Sequence, residues 1–187
     1  MKIAITGGIG CGKSTVLEFL KANGLACLST DSIVRQLLSE DLSVVESVIE
    51  HFGSECKNED GTVDRSRIAK IVFQSHSELE WLESLLHPLV KEAYAEFLKD
   101  HDQSPAVVEI PLLFEKRLEK DFDLSVSVIC SDANANKRLR LKGYSERDIT
   151  FRRQHQLSCS IKAERSDFVL SNDGSLNFLE QQMTSLF

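Results

Sequence analysis

The run Gly7-Gly8-Ile9-Gly10-Cys11-Gly12-Lys13-Ser14 satisfies the pattern G-x-x-x-x-G-K-[ST]. Its residue types suit one task. Glycines let backbone N–H groups turn inward around phosphate oxygens without obstruction, and a helix starting at the same point turns its positive end towards the anion. Lys13 has the reach and charge for β- and γ-phosphates, and Ser14 has a hydroxyl for Mg²⁺. Gly8, Gly10, Cys11, Gly12, Lys13, Ser14 and Thr15 are therefore the expected nucleotide contacts, with ATP and Mg²⁺ as the expected ligands. Asp31 is the second chemical candidate, a carboxylate placed to orient and deprotonate a hydroxyl. Its plain structural alternative is a helix N-cap. The third is a basic cluster in an acidic chain, Arg138, Arg140, Lys142, Arg147, Arg152 and Arg153. Phosphoryl transfer asks for positioning and charge neutralisation, which such a cluster supplies, although a solvated helix face would look the same.

The elements around these residues support the loop. KIAIT (2–6) reads as a buried strand before it, and Val16, Leu17, Phe19 and Leu20 make the apolar face of a helix after it, stopped near Gly24. LACLS (25–29) is a second strand, and strand–helix–strand at this spacing predicts a right-handed crossover in a parallel sheet. Asp31 follows that second strand. In a parallel sheet the carboxyl ends of adjacent strands face one crevice, which would bring Asp31 near the γ-phosphate.

From Asp31 to about Asp102 the pattern is helical, with apolar faces at Ile33, Val34, Leu37 and Leu38, then at Val44, Val45, Val48, Ile49 and Phe52. A polar turn at Asn58 to Gly61 precedes helical stretches at Ile68–Phe73, Leu79–Leu86 and Leu89–Leu98. One crossover does not need so much helix, so residues 32–103 are expected to form an inserted helical subdomain that closes over an acceptor. Trp81, Leu82, Leu85 and Leu86 read as its core. Strands resume at AVVEI (106–110) and LSVSVI (124–129). Two short helices parted by Gly143-Tyr144 fill 132–156, with Ser145 and Asp148 as a capping signal. DFVLS (167–171) and an amphipathic helix from Leu176 close the chain. The fold expectation is an α/β doubly wound parallel sheet in one P-loop domain spanning 1–187, with the helical insertion and, over 132–156, the two short helices.

Composition narrows the function. The formal charge is −7, against a nucleic-acid partner. The five cysteines include no C-x-x-C pair, so neither a zinc site nor a disulfide framework is supported, and free thiols suit the cytoplasm. The apolar run after Met1 ends at Gly7, too short for a signal peptide or membrane span, so no membrane partner is expected. The expected state is a monomer, although the sequence does not decide it. A dinucleotide site would use an acid where Asp31 stands, but G-x-G-x-x-G is absent and Lys13 and Ser14 would have no purpose. A GTPase would carry N-K-x-D, which is absent. What remains is a small-molecule kinase, or a nucleotide-dependent binding module without turnover.

Four runs of this chain resemble the dephospho-coenzyme A kinase family: TGGIGCGKSTV, Asp31-Ser32-Ile33-Val34-Arg35, Leu86-His87-Pro88-Leu89, and Glu109-Ile110-Pro111-Leu112-Leu113-Phe114-Glu115. Gln156 and the tail Asp167 to Gly174 fit the same pattern, so the likeness runs from first strand to last. It implies Mg·ATP-dependent phosphorylation of the ribose 3′-hydroxyl of dephospho-coenzyme A. It further implies Asp31 as base, with Arg35, His87, Pro88 and Leu113 on the acceptor side, and Lys13 and Arg138 as catalytic cations. A kinase of another small metabolite, such as a nucleoside monophosphate, is the alternative. The chain departs from the family at several positions. Ser29-Thr30-Asp31 keeps only the second acid of Asp-Ala-Asp, and Ser166-Asp167 replaces Ala-Asp. The segment at 132–156 resembles the family's lid, in which Lys142 stands for an arginine and loses its bidentate fork. Glu109 replaces a common Asp, either to hold a Mg²⁺-bound water or as a polar residue at the sheet's solvated end, and Cys11 stands where serine is frequent.

Overall fold

The computed structural model describes residues 1–187. Strands β1 (Lys2–Gly7), β2 (Ala26–Ser29), β3 (Ala106–Glu109), β4 (Leu124–Ile129) and β5 (Phe168–Ser171) are the five expected from the sequence. They form one sheet in the order β2-β3-β1-β4-β5, every pair parallel. β1 lies at the centre, which explains why five of its six residues are buried. A parallel strand covered on both faces is read as a continuous apolar run.

One expectation needs correcting. β2 does not lie beside β1: β3 enters between them, with Ile5 opposite Glu109 and Ser29 opposite Glu109 on its other side. The strand preceding Asp31 therefore stands two strand spacings, about 10 Å, from the strand preceding the glycine loop. Strand order depends on which apolar edges meet in three dimensions, and no local pattern announces it.

The chain divides into two compact units, Met1–Ser29 with Phe97–Phe187, and Thr30–Glu96. Helices α1 (Lys13–Ala22), α2 (Thr30–Glu40), α3 (Leu42–Phe52), α4 (Arg65–Val72) and α5 (His76–Asp100) precede β3, and α6 (Asp132–Leu141), α7 (Glu146–Gln154), α8 (Cys159–Arg165) and α9 (Leu176–Leu186) follow β4. In the first unit, Ile3 and Ile5 of β1, Val107, Val126, Val128 and Leu170 share a core with Val16, Leu17 and Leu20 of α1 and Leu179 and Met183 of α9. Ser145 and Asp148 do form the expected capping box at the start of α7. Helix α8 has no counterpart among the expected elements. Its sequence CSIKAER offers almost no apolar periodicity, and it starts because the Ser158 side chain accepts from the Ile161 N–H.

The second unit has its own core, built from Leu38, Val44, Val48, Phe52, Ile68, Val72, Leu82 and Leu86. Asp41 caps α3 and Asp64 caps α4, each accepting two backbone N–H groups. Trp81 packs there as expected, with the His51 ring stacked on it at 3.7 Å. The stretches split around His87-Pro88 in the sequence reading are one helix, α5, with Pro88 inside it. An interior proline costs about 3 kcal/mol. Here Leu82, Leu86, Val90, Tyr94 and Leu98 recur every fourth residue and are all buried, so a continuous apolar stripe outweighs the lost hydrogen bond.

Candidate active site

The glycine loop leaves the carboxyl end of β1 and runs directly into α1, whose N-cap is Gly12 with no side-chain cap. The first-turn N–H groups of α1 are thus not covered by a capping side chain, the arrangement that receives an anion. Lys13, the first residue of α1, is buried, and its ammonium donates to the carbonyls of Gly7 and Gly8, each at 3.1 Å. Both partners are neutral, so the loop carries net positive charge. Close packing requires glycine at two positions. Gly12 has φ +97°, and a Cβ there would lie 2.2 Å from Asn172 Nδ2; Gly10 has φ +78°, and a Cβ would lie 2.9 Å from the Ala135 carbonyl oxygen.

Those neighbours belong to a clamp on the loop's outer side. Arg138, on α6, donates to the Asn172 carbonyl at 2.7 Å and reaches the Gly10 carbonyl at 3.5 Å. Asn172, just past β5 and buried, donates from Nδ2 to the Cys11 carbonyl at 2.8 Å. Its neighbour Asp173 accepts from the Ser131 N–H and hydroxyl and from Asn134 Nδ2, tying the start of α6 to the end of β5. These hydrogen bonds hold the Asp173 carboxyl below the usual carboxylate range, the Ser131 N–H contributing most. The sheet order explains the clamp: β1, β4 and β5 are consecutive neighbours, so the segments leaving their carboxyl ends meet.

The members of the basic cluster make different contacts. Arg140 pairs with Glu146 at 2.6 Å and Arg153 with Asp132 at 3.0 Å, while Arg152 lies over the Tyr144 ring. Lys142 is the exposed C-cap of α6, and Arg147 is exposed. Of the cluster, Arg138 reaches a carbonyl of the glycine loop, and Arg153 lines a cavity together with Gly8, Ile9 and Cys11. Ser14 is exposed and Thr15 half-buried, both in the first turn of α1, and Gly8 is buried against the sulfurs of Cys159 and Cys11.

In the second unit, Asp31 lies in the first turn of α2 rather than before it, and Arg35 follows one turn later; both are exposed. Residues four apart share a helix face, so the structure brings these two together. His87 and Pro88 are exposed midway along α5. Leu113, in the first unit, is fully buried.

Lys162, which no local pattern marks, is completely buried and pairs with Glu115 at 2.9 Å. It also donates to the Pro111 carbonyl, while Glu115 accepts the Leu157 N–H at 2.7 Å. This links the Pro111–Glu115 segment after β3 to α8. Burial lowers the Lys162 pKa, and Glu115 works against that shift. No periodicity flagged it, since a lysine in a short polar helix is normally solvated.

A glycine-rich anion loop at the carboxyl end of the central strand, carrying a buried lysine and clamped by an arginine from a later helix, defines a nucleotide-binding α/β protein of the P-loop kinase class. The family model for dephospho-CoA kinase matches residues 1–177. The dephospho-CoA kinase of Protochlamydia amoebophila is 37% identical over 193 residues, covering 100% of this chain and 94% of that one. Among solved structures, TT1252 from Thermus thermophilus superposes with a TM-score of 0.82 at 29% identity, covering 100% and 95% of the two chains. The dephospho-CoA kinase from Campylobacter jejuni shares the fold with a TM-score of 0.73 at 23% identity, covering 100% and 96%. The chain belongs to the dephospho-CoA kinase family.

Proposed function

We propose that this chain transfers the γ-phosphoryl group of ATP to the ribose 3′-hydroxyl of dephospho-coenzyme A, giving coenzyme A and ADP. The family match over residues 1–177 carries this reading, because that span includes the loop, Asp31 and the Arg138–Asn172 clamp. The site also fits a nucleotide triphosphate on its own terms, with a buried ammonium paired to neutral carbonyls and an uncapped helix start.

In this scheme the N–H groups of Gly8, Gly10, Cys11, Gly12, Lys13, Ser14 and Thr15 surround the phosphates. Lys13 turns from the Gly7 and Gly8 carbonyls to the β- and γ-phosphates, and Arg138 and Lys142 add positive charge from the lid formed by α6 and α7. The Asp31 carboxylate takes the proton from the acceptor hydroxyl, whose oxygen forms the new P–O bond while the bond to the β-phosphate oxygen breaks. Arg35, His87 and Pro88 hold the acceptor, with Thr30–Glu96 as the acceptor-binding unit. No group of three or more His, Cys, Asp or Glu side chains is arranged to hold a metal ion, so Mg²⁺ would sit on Ser14 and the nucleotide's own phosphates, as it commonly does. Bound there, it neutralises charge on the β- and γ-oxygens.

No helix is long and apolar enough to cross a membrane. We place the protein in the cytoplasm, supported by its five free cysteines, and as a monomer that binds no nucleic acid, the latter supported by the charge of −7; sedimentation checks the monomer. The test of function is ADP release from Mg·ATP with and without dephospho-coenzyme A, with AMP and shikimate as controls. Stimulation by dephospho-coenzyme A alone, with coenzyme A as product and loss on chelation, is the expected result. Stimulation by AMP instead would redirect the acceptor assignment, and ATP binding with no stimulation would leave a binding module.

A further inference from the structure

Three of the five cysteines meet behind the phosphate loop. Cys11 turns its sulfur inward, to 3.1 Å from Cys130 Sγ and 3.6 Å from Cys159 Sγ. Cys130 immediately follows β4 and Cys159 opens α8, so the thiols come from segments 119 and 148 residues away from the loop. A separation of 3.1 Å between Cys11 and Cys130 is about 1 Å longer than a disulfide bond. Both of these residues are buried and Cys159 is half-buried, and all three line a cavity of about 470 Å³ together with Gly8, Gln156 and Ser160. A small oxidant can reach them through it. The phosphoryl transfer described above uses none of these sulfurs.

We propose that Cys11 and Cys130 form a reversible disulfide, with a peroxide as oxidant, that switches off the nucleotide site. This rests on the kinase reading of the same site. The Cys130 sulfur attacks one peroxide oxygen, the O–O bond breaks, and the other oxygen leaves as water, making Cys130 a sulfenic acid. The Cys11 sulfur then attacks the Cys130 sulfur, the S–O bond breaks, and a second water leaves. Two thiols and one hydrogen peroxide thus give one disulfide and two waters.

The surroundings assign the order of events. The Cys11 hydrogen bond, and then the Arg138 charge, pull the Cys130 pKa down, making it the first nucleophile. The same contact with Cys130, aided by burial, holds Cys11 up at about 11. Oxidation of Cys130 removes the hydrogen bond that contributes most to raising Cys11, and Cys11 attacks second. The consequence for the site follows from the main chain. The Cys11 N–H donates to Gly8 at 3.2 Å, and its carbonyl is the acceptor for Asn172. Closing the sulfur gap draws Cys11 towards β4 by about 1 Å, and misplacing catalytic geometry by that much costs about a hundredfold.

The test treats the reduced protein with a small excess of hydrogen peroxide, blocks remaining thiols, and maps peptides without reduction. Nucleotide binding and phosphoryl transfer are measured on the same samples before and after dithiothreitol. The expected result is a Cys11–Cys130 linked peptide, a loss of turnover of about a hundredfold, weakened nucleotide binding, and recovery on reduction. Cys130→Ser should keep its untreated activity and resist peroxide, while Cys159→Ser should switch as the natural protein does. A peptide map with no Cys11–Cys130 linkage, a Cys11–Cys159 linkage in its place, or a Cys11–Cys130 linkage that leaves nucleotide binding unchanged would each overturn the proposal. The map on the unsubstituted protein decides this even if a variant misfolds. Should the reduced protein bind nucleotide yet transfer no phosphoryl group to dephospho-coenzyme A, the kinase reading fails, while the map and the binding data still judge the disulfide.

Discussion

Asn172 Nδ2 donates to the Cys11 carbonyl at 2.8 Å, across 161 residues of chain, and this bond fixes the outer side of the phosphate loop. Arg138 holds the Asn172 carbonyl in turn. The loop is therefore braced from the last strand, and its shape does not rest on its glycines alone.

Asn172→Ala should show how much that brace contributes. It leaves the buried Cys11 carbonyl without its donor, a loss of about 1–3 kcal/mol. For a chain of this size that lowers Tm by roughly 2–12 °C. ATP affinity should fall as well, which calorimetry on the folded variant would register. Unchanged affinity would mean that the loop keeps its shape without the brace.

Asp31→Asn separates catalysis from nucleotide binding. Removing the proposed base should cost about 10²–10⁴-fold in turnover, and ATP affinity should stay near that of the natural protein because Asp31 follows β2 and not β1. Turnover within a fewfold of the natural protein would remove Asp31 from the mechanism.

Lys162→Met tests the buried ion pair. Taking one partner away leaves Glu115 buried without its counter-charge, at a cost of about 3–5 kcal/mol. The double change with Glu115→Gln should recover much of that loss. The pH dependence gives a second readout. The folded pKa of Lys162 is depressed below its ordinary value of 10.5, burial being the main cause. Between the folded value and 10.5 the unfolded chain binds more protons, so this group raises stability as pH climbs through that window. Denaturant titrations at several alkaline pH values should show the rise in the natural protein and not in Lys162→Met.

Asp173→Asn tests the tie between β5 and α6 in acid. The folded carboxyl lies below its ordinary value of 3.8, held by the Ser131 and Asn134 donors. Its contribution is thus fully present above 3.8 and is lost as pH falls through the folded value. The natural protein should be the more stable at neutral pH, and the gap should close in acid. A gap independent of pH would assign the effect to packing instead of charge.

Local chemistry was legible where a short run of chain does the whole task. The glycine loop, the five strands, the start of α7 at Ser145 and the apolar faces of α1 to α4 follow from spacing, because backbone conformation and one-sided burial are set within a few residues. Helix α5 was split because proline is a strong local signal, and the stripe from Leu82 to Leu98 that overrides it acts through tertiary packing.

By itself the sequence determined the anion-binding loop, the parallel α/β class, the family, and the candidate residues Lys13, Asp31 and Arg138. Only the tertiary structure decided which of those residues meet. It inserted β3 between β1 and β2, brought Arg138 and Asn172 onto the loop, paired Arg140 and Arg153 with acids elsewhere, and buried Lys162 against Glu115. It also drew three widely spaced cysteines into one cluster. The physical reason is common to all of these: the partners lie far apart along the chain, and their meeting is set by strand order and by the packing of helices on the sheet, which no window of neighbouring residues encodes.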